Sequence, residues 1–514
     1  MKRIDLRRLS CVFVAVLFLC SAAFSQDLAS FEKRITTKRL ANGLTLVVME
    51  RPEAPVFSFV TYVDVGDSQD PMGESGLAHM FEHMAFKGTD KIGTTNFPAE
   101  RKLLQELETA YHAYDVEKRK LTGRDEKKLA ELDKAWKAIA DQAEKYVKVN
   151  EFGQIVERNG GVNMNASTSM DETMYNYSMP SNRLELWAYL ESERFLHPVF
   201  RQFYKERDVV VEERRMRVDS SPIGRLVEQT AAAAYTAHPY QRSGVGWPGD
   251  ITNVTATEAA DLYKRYYTPA NMVVAVVGDV KAAQVVPLLE RYFGRLPKGE
   301  KPVDMATPEP PQKSERSVVL REQGQPWYIE AYHRPSFSDP DDAVYDAISD
   351  LMANGRTSRL YRSLVRDKKI ALFAGGQSGF PGTKYPQLYL FYSVPTQGKT
   401  PQDLAAAIRE EIEKLKTTDV TDDELKMVKT RAKADLIRGL ADNEGLAGQL
   451  AFFQGRFGDW RELFRNEQRI EKVTKADIRR VANKTFVESN RTVAMIETAK
   501  PTSPNAAPQK KGDQ

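Results

Sequence analysis

The sequence His79-Met80-Phe81-Glu82-His83 places two imidazoles and one carboxylate within five residues. Residues three and four positions apart share one face of an α-helix, so His79, Glu82 and His83 would point the same way. Neutral imidazoles are common zinc ligands, and a carboxylate beside a zinc-activated water is a natural general base. The order His-x-x-Glu-His reverses the commoner His-Glu-x-x-His and is a catalytic zinc motif in its own right. The stretch therefore predicts a zinc-binding helix, and the alternative is two solvated histidines beside a glutamate.

A catalytic zinc ion usually takes three protein ligands and leaves one position for water. The two histidines supply two of them, and a carboxylate from another element is expected as the third. Segment 204–216 offers Glu206, Glu212 and Glu213 in a helical pattern, with the first and last two turns apart on one face. The spacing alone leaves Glu213, Glu212 and a merely solvated charged helix as open interpretations.

The N-terminus has the pattern of a secretory signal peptide. Four basic residues precede an apolar run at 11–24, and Ala23-Phe24-Ser25 supplies the small residues of a cleavage site. We therefore expect residues 1–25 to be a signal peptide and the protein to be periplasmic or secreted. An uncleaved anchor is the alternative, but the apolar run is short for a bilayer span.

Removal of this segment would change the cysteine and charge counts of the mature chain. Both cysteines, Cys11 and Cys20, lie within it, so no disulfide, thiolate zinc site or cysteine nucleophile is expected. The whole chain carries a net charge of +3, and the segment itself accounts for that excess. A mature charge near zero gives no reason to expect nucleic acid or an anionic membrane as a partner, and no membrane span would remain.

The chain repeats itself at a constant offset of 219 residues. Residues 251–255 match 470–474, and 271–275 match 490–494, each pair flanking a helical pattern that leads to a buried strand. We therefore predict two homologous domains at 31–300 and 315–498. A Pro-rich linker at 301–314 would join them, and residues 499–514 read as a disordered tail.

The first half is longer than the second by an internal insertion. Aligning Gly88 with Gly355 gives an offset of 267, which exceeds 219 by 48 residues. The charged segment at about 99–148 has two helical stripes around a turn and predicts an inserted helical hairpin. A partner surface, a lid or simple packing are its open roles. In this alignment Asp346, Ser349 and Asp350 replace the motif residues, so the second half would lack the metal site.

These segments together resemble the pitrilysin family of zinc metallopeptidases (inverzincins), which includes insulysin and the mitochondrial processing peptidases. The segment 76–89 is close to the family signature, and 160–175 and 205–213 resemble the segments that follow it. The resemblance extends from about Arg39 to Ile496. It implies an α+β fold of two homologous domains, each a β-sheet faced by helices, that form a clam shell over a peptide, with the helical hairpin inserted in the first.

The resemblance also implies roles for individual residues. Glu213 would be the third ligand of one Zn²⁺ ion per chain, and Glu206 would support the catalytic site from beside it. Glu82 would be the general base in the hydrolysis of peptides or unfolded segments. Asn165 and Ala166, on a strand edge, would pair with the backbone of an extended peptide substrate.

One departure from the family pattern concerns the grip on the substrate. Complete enzymes of the family usually place an Arg and a Tyr seven residues apart in the second half. Arg366 matches the first, but Phe373 stands at the second and has no hydroxyl, with Tyr385 as a possible substitute. We therefore also consider the hypothesis that the chain forms a homo- or hetero-oligomer, in which a partner peptidase-like subunit supplies the missing group. The alternative function is a non-catalytic or partner-dependent subunit of a processing-peptidase-like complex.

Overall fold

The computed structural model describes residues 28–242, 244–305 and 307–499. The predicted signal peptide with its two cysteines, and the predicted tail beyond residue 499, lie outside the described residues. No helix within the described ranges is long and apolar enough to cross a membrane.

The first half builds one six-stranded sheet and eleven helices from the described residues. Its strands are β1 Ile35–Arg39, β2 Thr45–Glu50, β3 Val56–Val63, β4 Val162–Thr168, β5 Thr173–Pro180 and β6 Met272–Gly278. Its helices are α1 Leu28–Glu32, α2 Leu77–Met84, α3 Phe97–Lys118, α4 Glu126–Glu144, α5 Glu151–Arg158, α6 Leu184–Leu196, α7 Phe203–Arg214, α8 Pro222–Ala234, α9 Pro248–Ile251, α10 Ala256–Tyr266 and α11 Ala282–Phe293.

The second half has a five-stranded sheet and six α-helices over its described residues. Its strands are β7 Arg316–Glu322, β8 Trp327–Arg334, β9 Ala371–Phe380, β10 Gln387–Pro395 and β11 Arg491–Thr498. Its helices are α12 Asp342–Ala353, α13 Pro401–Thr417, α14 Asp422–Gly439, α15 Asn443–Phe457, α16 Glu462–Lys472 and α17 Lys475–Thr485.

The two sheets have the same topology. The first has the order β1-β2-β6-β3-β5-β4, and the second has the order β7-β11-β8-β10-β9. In both, the first strand of the shared set pairs parallel to the final strand, as β2 does with β6 and β7 with β11, and the remaining pairs are antiparallel. Strand β1 is an addition at the outer edge of the first sheet. The predicted duplication is therefore confirmed strand by strand.

The predicted offset of 219 also holds for the closing helices. Helices α10 and α17 begin and end 219 residues apart, and each starts with a capping box. The side chain of Thr255 accepts the backbone N–H of Glu258, and the side chain of Glu258 accepts the backbone N–H of Thr255. Thr474 and Asp477 form the same pair of hydrogen bonds in α17. Each helix leads into the central strand β6 or β11. The α+β fold class is confirmed.

The insertion is a helical hairpin, as predicted, but its first helix begins two residues earlier than expected. Asn96 caps α3 by accepting the N–H of Ala99, and Pro98 sits in the first turn, where its missing N–H costs nothing. Asp125 caps α4 by accepting the N–H groups of Lys127 and Lys128.

Each half covers one face of the other half's sheet. One face of the first sheet packs on its own helices, whereas the other face packs on α15 of the second half, around Val60, Val277 and Leu450. In return, α8 of the first half lies on β7, β8 and β11, with Leu226 against the second sheet. The two halves therefore share their apolar cores through an exchange of helices.

Close approach of α15 to the first sheet depends on a glycine. A Cβ atom on Gly455 would lie 2.3 Å from the ring of Tyr62 on β3, which is fully buried. A Cβ atom on Gly448, in the same helix, would meet no heavy atom within 4 Å. The two glycines are thus a matched pair for the exchanged interface.

We predict that Gly455→Ala lowers the free energy of unfolding by about 1–3 kcal/mol, because the added methyl overpacks the interface. Gly448→Ala should raise it by about 0.5–1 kcal/mol, because alanine is the better helix former. Urea unfolding followed by circular dichroism measures both. Equal changes in the free energy of unfolding for the two substitutions would show that α15 does not pack tightly against the first sheet at Gly455.

Candidate metal centre

Helix α2 is fixed at its N-terminus by a carboxylate from the preceding loop. The residue that caps the helix is Gly76, whose φ of +96° suits glycine and which has no side chain to accept from the helix. Asp70 takes over this role by accepting the N–H groups of Gly76, at 2.7 Å, and Ala78, at 2.9 Å. The opposite face packs into the core, where Phe81 contacts the rings of Tyr263 and Tyr267. The face that carries His79, Glu82 and His83 therefore points away from this core and toward the cavity.

The structure brings the two histidines and Glu213 together. His79 Nε2 lies 3.5 Å and His83 Nε2 lies 3.6 Å from the same oxygen of Glu213, Oε2. One ligand atom from each residue falls within 4.8 Å of the others, which is a spacing that one ion can bridge. Within the part of the chain that the structure describes, this is the one such group of three or more His, Cys, Asp or Glu residues.

Residues around this group orient its side chains. His83 Nδ1 lies 3.5 Å from Glu206 Oε2, and Lys87 Nζ donates to Glu206 Oε1 at 2.5 Å. A carboxylate at Nδ1 favours the tautomer whose Nε2 is free to bind a metal. Arg217 Nη2 lies 2.8 Å from Glu213 Oε1, so one oxygen of Glu213 is held while the other faces the histidines.

The two imidazoles differ in their electrostatic setting. Burial lowers the pKa of His79 to about 4, so this ring is neutral at neutral pH. Burial also acts to lower the pKa of His83, but the hydrogen bond to Glu206 and the charges of Glu82 and Glu213 outweigh it and raise that pKa. The same excess of negative charge favours a divalent cation at this position. Two imidazoles and a carboxylate are a donor set that fits zinc.

Glu82 lies on α2 between the two histidines, one turn after His79 and directly before His83, and is not part of the ligand group. Its burial raises its pKa above the ordinary value, and a hydrogen bond from Thr168 of strand β4 opposes this shift. A raised pKa brings a carboxylate closer to the working range of a general base. Its side chain lines two cavities that meet at the ligand group.

Strand β4 runs along these cavities as an edge strand of the first sheet. Asn165 and Ala166 line both cavities, of about 800 and 460 Å³. Asn163, at φ +56°, forms an irregularity ahead of them, and its side chain donates to Glu444 of helix α15. An edge strand offers unpaired N–H and C=O groups to an extended peptide.

The second domain contributes to the larger cavity, but not through Arg366. Phe380 and Pro381 line it, whereas Arg366 is exposed and pairs with its neighbour Asp367 at 2.7 Å. Phe373 is 47% exposed on β9, and Tyr385 accepts the N–H of Met305 in the linker. The structure therefore brings together seven of the eight predicted site residues and leaves Arg366 apart.

Sequence reasoning missed three residues of the centre. Arg217 lies four residues after Glu213, a helical ion-pair spacing that was readable in the sequence. Thr168 and Asp70 reach the motif helix from other elements, and no spacing in the sequence predicts those contacts.

The corresponding place in the second domain is a cavity of about 580 Å³ without the ligands. Asp346, Ser349 and Asp350 line it, as the alignment with the motif predicts. Asp350 is paired with Arg431 and bonded by Asn354. No histidine lines this cavity among the described residues.

Family models match most of both halves. The model described as Insulinase (Peptidase family M16) matches residues 46–110 and 137–246, and the Peptidase M16 inactive domain matches residues 253–432. Together they cover more than half of the chain. The chain belongs to peptidase family M16, so the predicted family resemblance is confirmed, with two M16-type domains.

Individual relatives agree with this assignment. The chain is 29% identical to the zinc protease PqqE of Helicobacter pylori over 509 residues, which are 97% of this chain and all of that protein. It is 22% identical over 479 residues to the β subunit of the mitochondrial processing peptidase of Saccharomyces cerevisiae, with 90% of each chain covered. The crystal structure of a protease from Helicobacter pylori superposes with a TM-score of 0.75 at 28% identity, over 90% of this chain and 99% of that one.

Proposed function

We propose that this chain is a zinc-dependent metalloendopeptidase that hydrolyses peptides or unfolded segments outside the cytoplasm. The convergence of His79, His83 and Glu213 within 4.8 Å, with Glu82 between the two histidines on α2, is the observation that carries the proposal. The names of the zinc-protease relatives support the metal and the reaction class. The predicted signal peptide supports the location.

In this proposal the chain's own residues divide the work of peptide hydrolysis. His79, His83 and Glu213 would hold one zinc ion, which when bound supplies a Lewis acid for the scissile carbonyl. The carboxylate of Glu82 takes a proton from the attacking water and delivers it to the nitrogen of the leaving amine. The hydroxyl of Thr168 orients that carboxylate.

In this proposal strand β4 positions the substrate, and two charged residues beside the ligands position the ligand side chains. Asn165 and Ala166 would hold an extended peptide by backbone hydrogen bonds across the cavities. Glu206 fixes the ring of His83, and Arg217 fixes the carboxylate of Glu213. Such supporting groups keep the donor atoms in place without touching the substrate.

Metal content tests the choice between the two adjacent glutamates. We expect about one zinc per wild-type chain after dialysis, measured by plasma mass spectrometry, and a near-complete loss in Glu213→Gln. Glu212→Gln should keep its zinc, because Glu212 is exposed and pairs with Arg215 at 2.8 Å. A His112→Ala control removes an exposed histidine of α3 without effect. Zinc retained in Glu213→Gln would remove this residue from the ligand set.

Catalysis is tested by replacing the general base alone. Glu82→Gln should retain about one zinc, whereas kcat on an unstructured peptide mixture should fall by about 10²–10⁴, the usual contribution of a general base. Chelation of the metal should abolish wild-type cleavage, and added zinc should restore it. A fully active Glu82→Gln protein would contradict the mechanism.

The alternative function is that of a partner-dependent subunit. The position of Arg366 supports this alternative. With Arg366 paired to Asp367 at the surface, the described cavity lacks the predicted basic grip from the second domain. If a second chain supplies that grip, specific activity should rise with protein concentration, in step with an oligomer seen by analytical ultracentrifugation. A monomer with concentration-independent activity would exclude this alternative.

A further inference from the structure

Helix α7 carries ligand-side and rear residues on opposite faces. Successive residues turn by about 100°, so Glu206 and Glu213 lie within about 20° of each other. Tyr204 falls about 160–180° from these two glutamates and Arg207 about 100–120° from them, so neither shares the ligand side of the helix. The rear of this helix would be open to solvent unless another element covered it.

The inserted hairpin covers that rear face. The ring of Tyr204 stacks on Tyr111 of α3 with 3.9 Å between ring centres, and its hydroxyl donates to Glu108 at 2.5 Å. Arg207 donates to the hydroxyl of Tyr111 at 2.5 Å and lies about 5 Å from both tyrosine rings. Trp136 of α4 closes the cluster at 5.5 Å from Tyr204. Tyr111 and Tyr204 are both buried.

The start of α7 is tied to the base of the same hairpin. Gln202, just before the helix, donates to Glu144 at the end of α4 at 2.7 Å, and Lys205 lies 3.1 Å from the same carboxylate. Arg201 forms a fully buried ion pair with Glu100 of α3 at 2.8 Å. The hairpin therefore holds α7 at its first residues and along its rear.

The second half provides an internal comparison. Helix α14 begins 219 residues after α7, so Leu425 and Ala432 stand at the places of Glu206 and Glu213. Asp423 and Lys426, at the places of Tyr204 and Arg207, are exposed. In the described part of the second half, no counterpart of the α3–α4 hairpin lies between α12 and β9. The helical hairpin that covers this face therefore occurs only in the half that carries the candidate metal ligands, among the described residues.

The family comparison also separates the hairpin from the common fold. The M16 match in the first half passes over residues 111–136, which include Tyr111 and Trp136. The contacts that Tyr111 and Trp136 make with α7 therefore come from a part of this chain that the family match leaves out, whereas Glu100, Glu108 and Glu144 lie within the matched ranges.

We propose that the hairpin α3–α4 is a positioning element for the metal centre, which holds α7 so that Glu213 and Glu206 meet the two histidines. Tyr204 and Arg207 are its positioning residues, and neither touches the ligand atoms. This inference rests on the proposed zinc-dependent function. It assigns the insertion to the metal site rather than to a lid or a partner surface.

Zinc affinity and ligand geometry test this role in the full chain. Tyr204→Ala should weaken zinc binding by about 10- to 100-fold in chelator competition, the range seen when groups that orient ligands are removed. The ligand-field spectrum of the cobalt-substituted protein should change with it. Tyr204→Phe keeps the stack and should restore most of the affinity. Glu108→Ala, which removes the acceptor of Tyr204 without opening the core, should show a smaller loss in the same direction.

A matched tyrosine controls for general destabilisation. Tyr292 on α11 is half-buried, donates to Glu185 and contacts the ring of Tyr189, both on α6 rather than α7, so Tyr292→Ala should leave zinc affinity and the cobalt spectrum unchanged. Wild-type zinc affinity in both Tyr204→Ala and Glu108→Ala would overturn the inference while leaving the proposed function intact. Equal losses in Tyr204→Ala and Tyr292→Ala would also overturn it. A wild-type chain that binds no zinc would overturn both proposals.

Discussion

Each sheet in this molecule has two apolar faces, and its own half supplies helices for one of them. The second face of each sheet is covered by a helix from the other half, α15 on the first sheet and α8 on the second. Burying those faces is the dominant favourable contribution to folding, so neither domain completes its core alone. The exchange also brings residues of both domains around one cavity, in which Phe380 and Pro381 of the second domain line the same space as the candidate metal ligands.

The candidate metal centre combines a neutral histidine with an excess of negative charge. Burial keeps His79 uncharged, while Glu206, Glu213 and Glu82 surround His83. Lys87 and Arg217 balance part of that charge from behind the carboxylates. The duplicated half shows the same fold without this pattern, since Asp346 and Asp350 occupy the motif positions there. The fold alone therefore does not create the site.

The features that sequence predicted well are those encoded by local spacing or by repetition. The motif is a short local pattern, the 219-residue offset is a repeat and the hairpin follows from helical periodicity. The position of Glu213 beside the two histidines agrees with the family pattern. Arg366 matched that pattern as well, but its side chain is exposed at the surface, where it pairs with Asp367. Contacts between distant elements, such as Tyr204 with Tyr111 or Asp70 with α2, depend on the packing of the whole domain. No short-range pattern carries that information.

One bond across the domain boundary gives the exchanged helix a mechanical role. Glu444, in the first turn of α15, accepts from Asn163 and Asn176 on strands β4 and β5. The strand edge that faces the cavities is thus tethered to the second domain two residues from Asn165. A hinge movement of the second domain would pull on this edge directly. Any displacement of α15 would consequently shift the proposed peptide-binding strand as well.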